Sequence, residues 1–248
     1  MSKCMGVDVG GSGIKGAVVD LGTGDLLTER FKVATPKPST PRAVARAVAR
    51  LVTRAEWQGP LGCTVPGVVL GGVVHTAAHI DPAWVGTDGT ALIAAATGRR
   101  VVLLNDADAA GIAEMRFGSG RGSGGVVIVL TFGTGIGSAV FVDQCLVPNT
   151  ELGHLTMWGG SAEHRASALA RTDEGLTWAQ WAKRVNRYLA HVESLFWPDL
   201  VIVGGGVSRD HGKWVPLLRT RAQVVPAQLR NNAGIVGAAL AAAEGRAP

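Results

Sequence analysis

"GVDVGGSGIKGAVVD", residues 6–20, decides how this 248-residue chain folds. Its run Gly11-Ser12-Gly13-Ile14-Lys15-Gly16 satisfies the dinucleotide pattern G-x-G-x-x-G. That fingerprint needs a helix after the glycines, so that pyrophosphate meets a helix N-terminus. Here the continuation GAVVD is short and β-branched, which predicts a returning strand. A Walker A loop fails as well, because Lys15 is preceded by Ile14 and followed by Gly16. What remains is a hairpin of residues 5–9 and 16–20. Its glycine amides, at Gly10 and Gly11 above all, can approach phosphate oxygens closely, with Ser12 adding a hydroxyl and Lys15 a charge. Asp8, on the strand just before the turn, is placed to hold the divalent cation that such phosphates carry, directly or through water. Taken alone, the loop reads equally well as a tight β-turn.

Two further glycine runs weigh against the bare turn. "LTFGTGIGSAVFVD", residues 130–143, repeats the order of strand, glycine turn, strand and closing Val-Asp, with Thr131, Gly133, Thr134, Gly135 and Gly137 around the turn. "VIVGGGVS", residues 201–208, is a strand running into Gly204, Gly205 and Gly206. The first two predict an internal duplication: two related halves, each presenting a phosphate hairpin to a shared cleft. A polar-glycine link, GSGRGSGG at 118–125, separates them.

Other elements follow from periodicity and punctuation. Residues 41–57 predict an amphipathic helix with proline at its start. Segments 62–69, 72–75 and 101–104 read as strands, the last ending at Asn105-Asp106 before a helix through ADAAGIAEMRF. Residues 161–171, 174–196 and 233–244 read as helices.

Apolar residues make up 47% of the chain and charged ones 17%, which fits a compact folded protein. The 35 glycines suit tight backbone approaches. Cys4, Cys63 and Cys145 form no C-x-x-C pair, which argues for reduced thiols and against zinc. No apolar run reaches the roughly 20 residues of a membrane span, and residues 1–6 run into a strand without a targeting segment, so a cytoplasmic location is expected. The net charge of +5 favours polyanionic partners without choosing among them. Arg42, Arg46, Arg50 and Arg54 recur at helical spacing, either as an ordinary solvated face or as a track for an anionic polymer. Lys183, Arg184 and Arg187 form a second basic cluster, read as surface charge beside a core stripe. No nucleic-acid motif accompanies this charge, so nucleic acid is not expected as a partner.

Asp8-x-Gly10-Gly11-Ser12-x-x-Lys15, Asn105-Asp106, LTFGTGIGSA, Glu151-Leu152-Gly153-His154 and VIVGGGVS together resemble the ROK family of sugar kinases. Within it, TPKPSTP (35–41), TAAHIDPAWVGTD (76–88), NDADAAGIAEMRFG (105–118) and VPAQLRNNAGIVGAAL (225–240) look like the polyphosphate glucokinases and glucomannokinases. The resemblance spans essentially the whole chain, in order.

It implies an α/β, actin-like (ribonuclease H-like) two-domain sugar kinase fold with a cleft between the domains. Residues 1–117 would form a small N-terminal domain carrying the first phosphate loop, with the C-terminal helix 233–248 packed back on it. Residues 118–232 would form a large domain with the second loop and the donor site. The resemblance makes Asp106 the catalytic base, and Asn105, Asp106, Glu151, His154, Glu163 and Gly67 the sugar-binding residues. Asp8, Gly10, Gly11, Ser12, Lys15, Thr131, Gly133, Thr134, Gly135, Gly205 and Gly206 would bind the donor's phosphates, with Asp8 holding Mg2+, directly or through water. On the residues alone, Asn105-Asp106 is also a normal helix N-cap, worth about 1 kcal/mol. The wider family follows its histidine with a cysteine-rich zinc loop; this chain has GSAEHRAS at 160–167, so no zinc is expected and Glu163 is carried over across a compressed spacing. His79 stands where the polyphosphate branch has asparagine, which leaves the choice between glucose and mannose open.

The implied activity is phosphorylation of glucose, and of mannose as a second acceptor, at the 6-hydroxyl by inorganic polyphosphate and/or ATP, in a homodimer. A strictly ATP-dependent hexose kinase is the alternative. A non-catalytic sugar-responsive protein is the poorer reading, since Asp8, Lys15 and Asp106 are all present and no DNA-binding segment is read ahead of the first strand.

Overall fold

A computed structural model describes residues 2–78 and 80–245. Contacts divide the chain into two compact units, residues 1–113 with 232–248, and residues 114–231.

The first unit opens with the hairpin β1 (Lys3–Val9) and β2 (Gly13–Asp20), followed by β3 (Phe31–Ala34) and helix α1 (Pro41–Arg54). Pro41 pre-sets the first helical turn, and Val44, Val48 and Leu51 form a fully buried stripe at helical spacing. Each such side chain contributes roughly 1.5–3 kcal/mol on burial. The helix stops three residues short of the expected end because Glu56 turns to φ 50°. Strand β4 (Leu61–Val65), a small hairpin of β5 (Val69–Leu70) and β6 (Val73–Val74), helix α2 (Gly89–Thr97), β7 (Val101–Asn105) and helix α3 (Asp106–Phe117) follow. The sequence reading missed α2, although both ends are marked: the Asp88 carboxylate accepts from the Ala91 N–H at 2.8 Å, and Gly98 closes it at φ 66°.

The second unit repeats the pattern with β8 (Val126–Phe132), β9 (Ile136–Val142) and β10 (Cys145–Val147). A two-residue-per-strand hairpin, β11 (Thr156–Met157) and β12 (Gly160–Ser161), leads into helices α4 (Glu163–Ala166), α5 (Ala168–Asp173) and α6 (Trp178–Phe196). The expected helix over 161–171 is broken at Ser167, whose extended backbone ends α4 and whose hydroxyl caps α5. The expected helix from 174 begins instead at Trp178, because Thr177 and Gln180 form a reciprocal capping box. Strands β13 (Leu200–Gly205) and β14 (Gln223–Pro226) complete this half, and helix α7 (Ala233–Glu244) belongs again to the first unit.

The two sheets have the same topology. Their orders are β3-β2-β1-β4-β7 and β10-β9-β8-β13-β14; in each, a hairpin and its edge strand are antiparallel and the last three strands are parallel. This is the duplication that the two glycine stretches predicted. In the first sheet α7 lies so close that a Cβ at Gly6 or Gly62 would overlap the Ile235 or Ala238 carbonyl. The second core centres on Phe132, which meets Trp181, Tyr188 and Trp214 edge-on at centroid distances of 5.6, 6.5 and 5.8 Å. No helix among the described residues is long and apolar enough to cross a membrane.

Candidate active site

In the first unit, the turn of residues 10–12 joins two antiparallel strands rather than a strand and a helix. Asp8 stands opposite Lys15 and Val9 opposite Ile14. The Gly10 N–H donates to the Gly13 carbonyl at 3.1 Å, and the Thr35 hydroxyl donates to the Gly10 carbonyl. Gly11 and Ser12 are exposed at the tip. The loop is therefore held from behind and open in front.

Asp8 is fixed from three sides. The Thr64 hydroxyl donates to Oδ1 at 3.0 Å and accepts from the Val9 N–H, while Lys15 Nζ lies 4.0 Å from Oδ2. Helix α7 begins beside it: a Cβ at Gly234 would lie 3.0 Å from the carboxyl carbon. Burial pushes the Asp8 carboxyl above its usual range, against the pull of Lys15, the Thr64 hydroxyl and Arg30. Thr64 and Thr35 escaped the sequence reading, since only strand pairing brings them to the loop.

Asn105 closes β7 and caps α3. Its side-chain oxygen accepts from the Ala107 and Asp108 N–H groups at 2.7 and 3.1 Å, and its amide donates to the Gly67 carbonyl at 3.1 Å. The side chain is buried, so the capping role considered from sequence is realised here. Asp106 follows it in the first turn of α3, partly exposed, with its carboxylate accepting from the Ala107 N–H at 2.9 Å. His79 lies outside the described residues.

In the second unit, β8 and β9 enclose the turn Gly133–Gly135, closed by a Gly133 N–H to Gly135 carbonyl bond of 3.0 Å. Thr134 is exposed. Strand β13 runs beside β8, with Gly204 opposite Thr131 and Gly205 opposite Phe132. The second and third glycine motifs, some seventy residues apart in sequence, are thus neighbours. Gly205 has φ 81° and ψ −174°, and any side chain there would strike the Phe132 carbonyl.

Glu151, His154 and Glu163 come together here. His154 Nδ1 lies 3.8 Å from Glu151 Oε2, and its Nε2 lies 3.7 Å from Glu163 Oε1. The other Glu163 oxygen accepts the Ile136 N–H at 3.0 Å, which ties this trio to the glycine hairpin. Burial raises the Glu151 carboxyl, His154 opposes that, and the Glu163 charge adds to it. Ser138 anchors the segment by accepting from the Leu152 N–H and donating to the Thr150 carbonyl. Such a cluster offers acceptors and a donor spaced for hydroxyl groups.

The buried Glu114 was also missed. Its carboxylate accepts from the Ser119, Gln228 and Leu229 N–H groups, so it pins the run 118–120 and the segment after β14. Ser119, Ser208, His211, Gln228 and Arg230 line a groove of about 380 Å³ there, and the Ser208 hydroxyl donates to the Gly205 carbonyl. Of the arginine row on α1, Arg54 pairs with Glu29 at 2.9 Å and covers the Phe31 ring, while Arg46 and Arg50 line a groove with Pro36 and Ala96. Arg184 is held by Glu174, and Arg187 lies over the Trp158 ring.

Known proteins share this sequence and fold over most of the chain. The model of the ROK family matches residues 4–167. A polyphosphate glucokinase of Mycobacterium tuberculosis (strain H37Rv) is 55% identical over 237 residues, 95% of this chain and 89% of the relative. The solved inorganic polyphosphate/ATP-glucomannokinase of Arthrobacter sp. strain KM superposes with a TM-score of 0.96 at 50% identity, covering 99% of this chain and 100% of that one. A ROK family glucokinase from Streptomyces griseus, solved with glucose and AMPPNP, gives 0.84 at 28% identity, covering 98% and 99%. The mixed α/β, two-sheet fold is that of the ROK sugar kinases, consistent with the actin-like class. This chain belongs to the ROK family.

Proposed function

We propose that the protein phosphorylates glucose at the 6-hydroxyl, taking the phosphoryl group from inorganic polyphosphate and also from ATP. The observation that carries this reading is the partly exposed Asp106 carboxylate, fixed at the head of α3 by its own helix and by the Asn105 cap, in a chain 55% identical to a polyphosphate glucokinase. Asp106 accepts the hydroxyl proton as the sugar oxygen attacks the terminal phosphorus. The new P–O bond forms as the bond to the rest of the donor breaks, and the donor leaves one phosphate shorter. Glu151, His154 and Glu163 bind sugar hydroxyls, and Gly67 and Asn105 shape the ground beneath Asp106. Positioning of this kind saves roughly 7–11 kcal/mol of the barrier.

The donor's phosphates lie on the exposed turns Gly10–Ser12 and Gly133–Gly135 and on Gly205–Gly206, with Lys15 as counter-charge and Thr131 at the second turn's base. Mg2+ suits Asp8: this ion keeps several waters and takes one or two carboxylates together with substrate phosphates. Among the described residues no group of three His, Cys, Asp or Glu could cage a metal, so a single carboxylate with phosphate oxygens is the donor set on offer. When bound, the ion would neutralise charge on the transferred group. The groove of about 380 Å³ next to Gly205 gives room for a nucleoside, which supports ATP as a second donor. Mannose as a second acceptor draws support from the likeness to the glucomannokinase. Three free cysteines suit a reducing, cytoplasmic setting, and the homodimer implied by the family is checked by mass in solution.

The test is glucose 6-phosphate formation by purified protein with Mg2+ and either ATP-free polyphosphate or polyphosphate-free ATP. Turnover with both supports the proposal. Turnover with ATP alone replaces it by an ATP-dependent hexose kinase, and turnover with neither removes it.

A further inference from the structure

Lys32 sits on β3 directly opposite Lys15 of β2, which is itself opposite Asp8 of β1. Directly paired residues share a sheet face, so Asp8, Lys15 and Lys32 form one row across three strands. It is the face covered by α7, because Gly6, two residues before Asp8, lies against that helix and Gly234 lies against Asp8 itself. Like charges placed directly opposite each other destabilise a strand pair, so Lys15 and Lys32 together are a cost to the fold. Among the described residues Lys32 makes no ion pair that would offset it.

The lysine stem points the way. Its Cε lies 3.0 Å and its Cγ 3.9 Å from where a Cβ on Gly13 would be, so the side chain leaves its own position opposite Lys15 and runs toward the turn of residues 10–12. Glycine at position 13 makes room for it. Arg30 adds a third cation: it donates to the Asn232 side chain at 3.1 Å, at the start of α7, and its charge reaches Asp8. Three cations and one carboxylate therefore surround an exposed phosphate turn on a chain whose net charge is only +5.

We propose that Lys32 is a donor-specificity residue that binds phosphate units of a polyphosphate chain beyond the one transferred, one strand further out than Lys15. The inference rests on polyphosphate being the donor, so turnover of polyphosphate by the unaltered protein is the first arm; its failure would strike that reading, not Lys32. With that arm positive, Lys32→Ala raises KM for polyphosphate roughly tenfold, a loss typical of one charge-assisted contact, and raises KM for ATP less. KM for glucose is untouched, and Lys32→Arg restores most of the effect. In calorimetry without sugar, using sodium polyphosphate of one chain length, Lys32→Ala lowers the slope of log Kd against log salt by about one, as loss of one phosphate-bound cation requires. A merely structural lysine would not move that slope. The double variant Arg46→Ala/Arg50→Ala keeps the polyphosphate KM within about twofold, as exposed charges away from the chain should. An unchanged salt slope, an equal KM rise for both donors, or a loss that follows the α1 arginines instead of Lys32 would each overturn the proposal.

Discussion

Beside the turn of the hairpin of residues 3–20 the ionisable side chains are Asp8 and Lys15, with Lys32 on the neighbouring strand β3: one carboxylate among cations. Beside the turn of the hairpin of residues 126–142 the ionisable groups are Glu163, bonded to the Ile136 N–H, with His154 and Glu151 behind it: two carboxylates about one imidazole. The backbone device is the same: two antiparallel strands, a glycine turn closed by one N–H to carbonyl bond, and parallel strands alongside. The strands build a platform of amides, and residues brought in from elsewhere in the chain decide what it does. Around the first turn they supply positive charge, which suits phosphate. Around the second they supply the acceptors and donor that the proposed sugar contacts need, and the turn itself is left for the proposed phosphate contacts.

The largest expected effect tests the chemistry assigned to the first unit. Asp106→Asn keeps the shape of the side chain and its place in the cap of α3 but removes the base. Turnover should fall by about 10²–10⁴, with glucose binding still measurable by calorimetry. A variant that still turns over at the parental rate would take the role of base away from Asp106.

Next come two glycines of the second unit that look alike in sequence and differ in structure. Gly205→Ala forces a residue into backbone space that is essentially glycine-only and drives a Cβ into the Phe132 carbonyl. It should cost at least roughly 1–3 kcal/mol, seen as a lowered thermal midpoint. Gly133 has no atom within 4 Å of a Cβ position, so Gly133→Ala should leave stability within about 1 kcal/mol while raising KM for the phosphoryl donor. If the two variants melt alike, the distinction between a glycine kept for packing and one kept for phosphate approach collapses.

Local signals carried much of this. The β-branched run from Gly16 announced a hairpin, whose second strand begins three residues earlier at Gly13, and α7 was read over residues 233–244 from its alanine-rich composition, the span observed. Asn105 announced a cap. Other local signals were present but overlooked, such as Thr177 with Gln180 at the start of α6. What could not be read was register. Thr64 reaches Asp8, Thr35 reaches Gly10, Glu114 reaches Gln228 and Leu229, and Lys32 faces Lys15, each across strands or loops that no spacing in the sequence relates. The candidate site was legible as a set of motifs; its second layer exists only in the paired sheets.

The smallest effect compares the raised carboxylates of the two hairpins. Glu151 holds its proton to higher pH in the folded protein than in the unfolded chain, mainly through burial, with Glu163 adding to the shift and His154 opposing it. The folded state therefore binds more protons between the two values, and stability from this group is full below the ordinary carboxylate range near pH 4.3 and declines as pH climbs toward the raised value. Glu151→Gln cannot titrate. The difference in thermal midpoint between parent and variant should thus drift against the parent as pH rises through that window, then level off. Adding Glu163→Gln to the parent should narrow the window, because the like charge that helps raise Glu151 is gone. Asp8→Asn should show a drift of the same sign, since Asp8 too is raised by burial, but set against Lys15, the Thr64 hydroxyl and Arg30 rather than against one histidine. High salt should therefore alter the Asp8 profile differently from the Glu151 profile: screening removes opposing cations in the first case, and both an opposing and a reinforcing charge in the second. Identical salt responses would mean that burial alone sets both carboxyls, and that the two hairpins differ less in their electrostatics than in their shape.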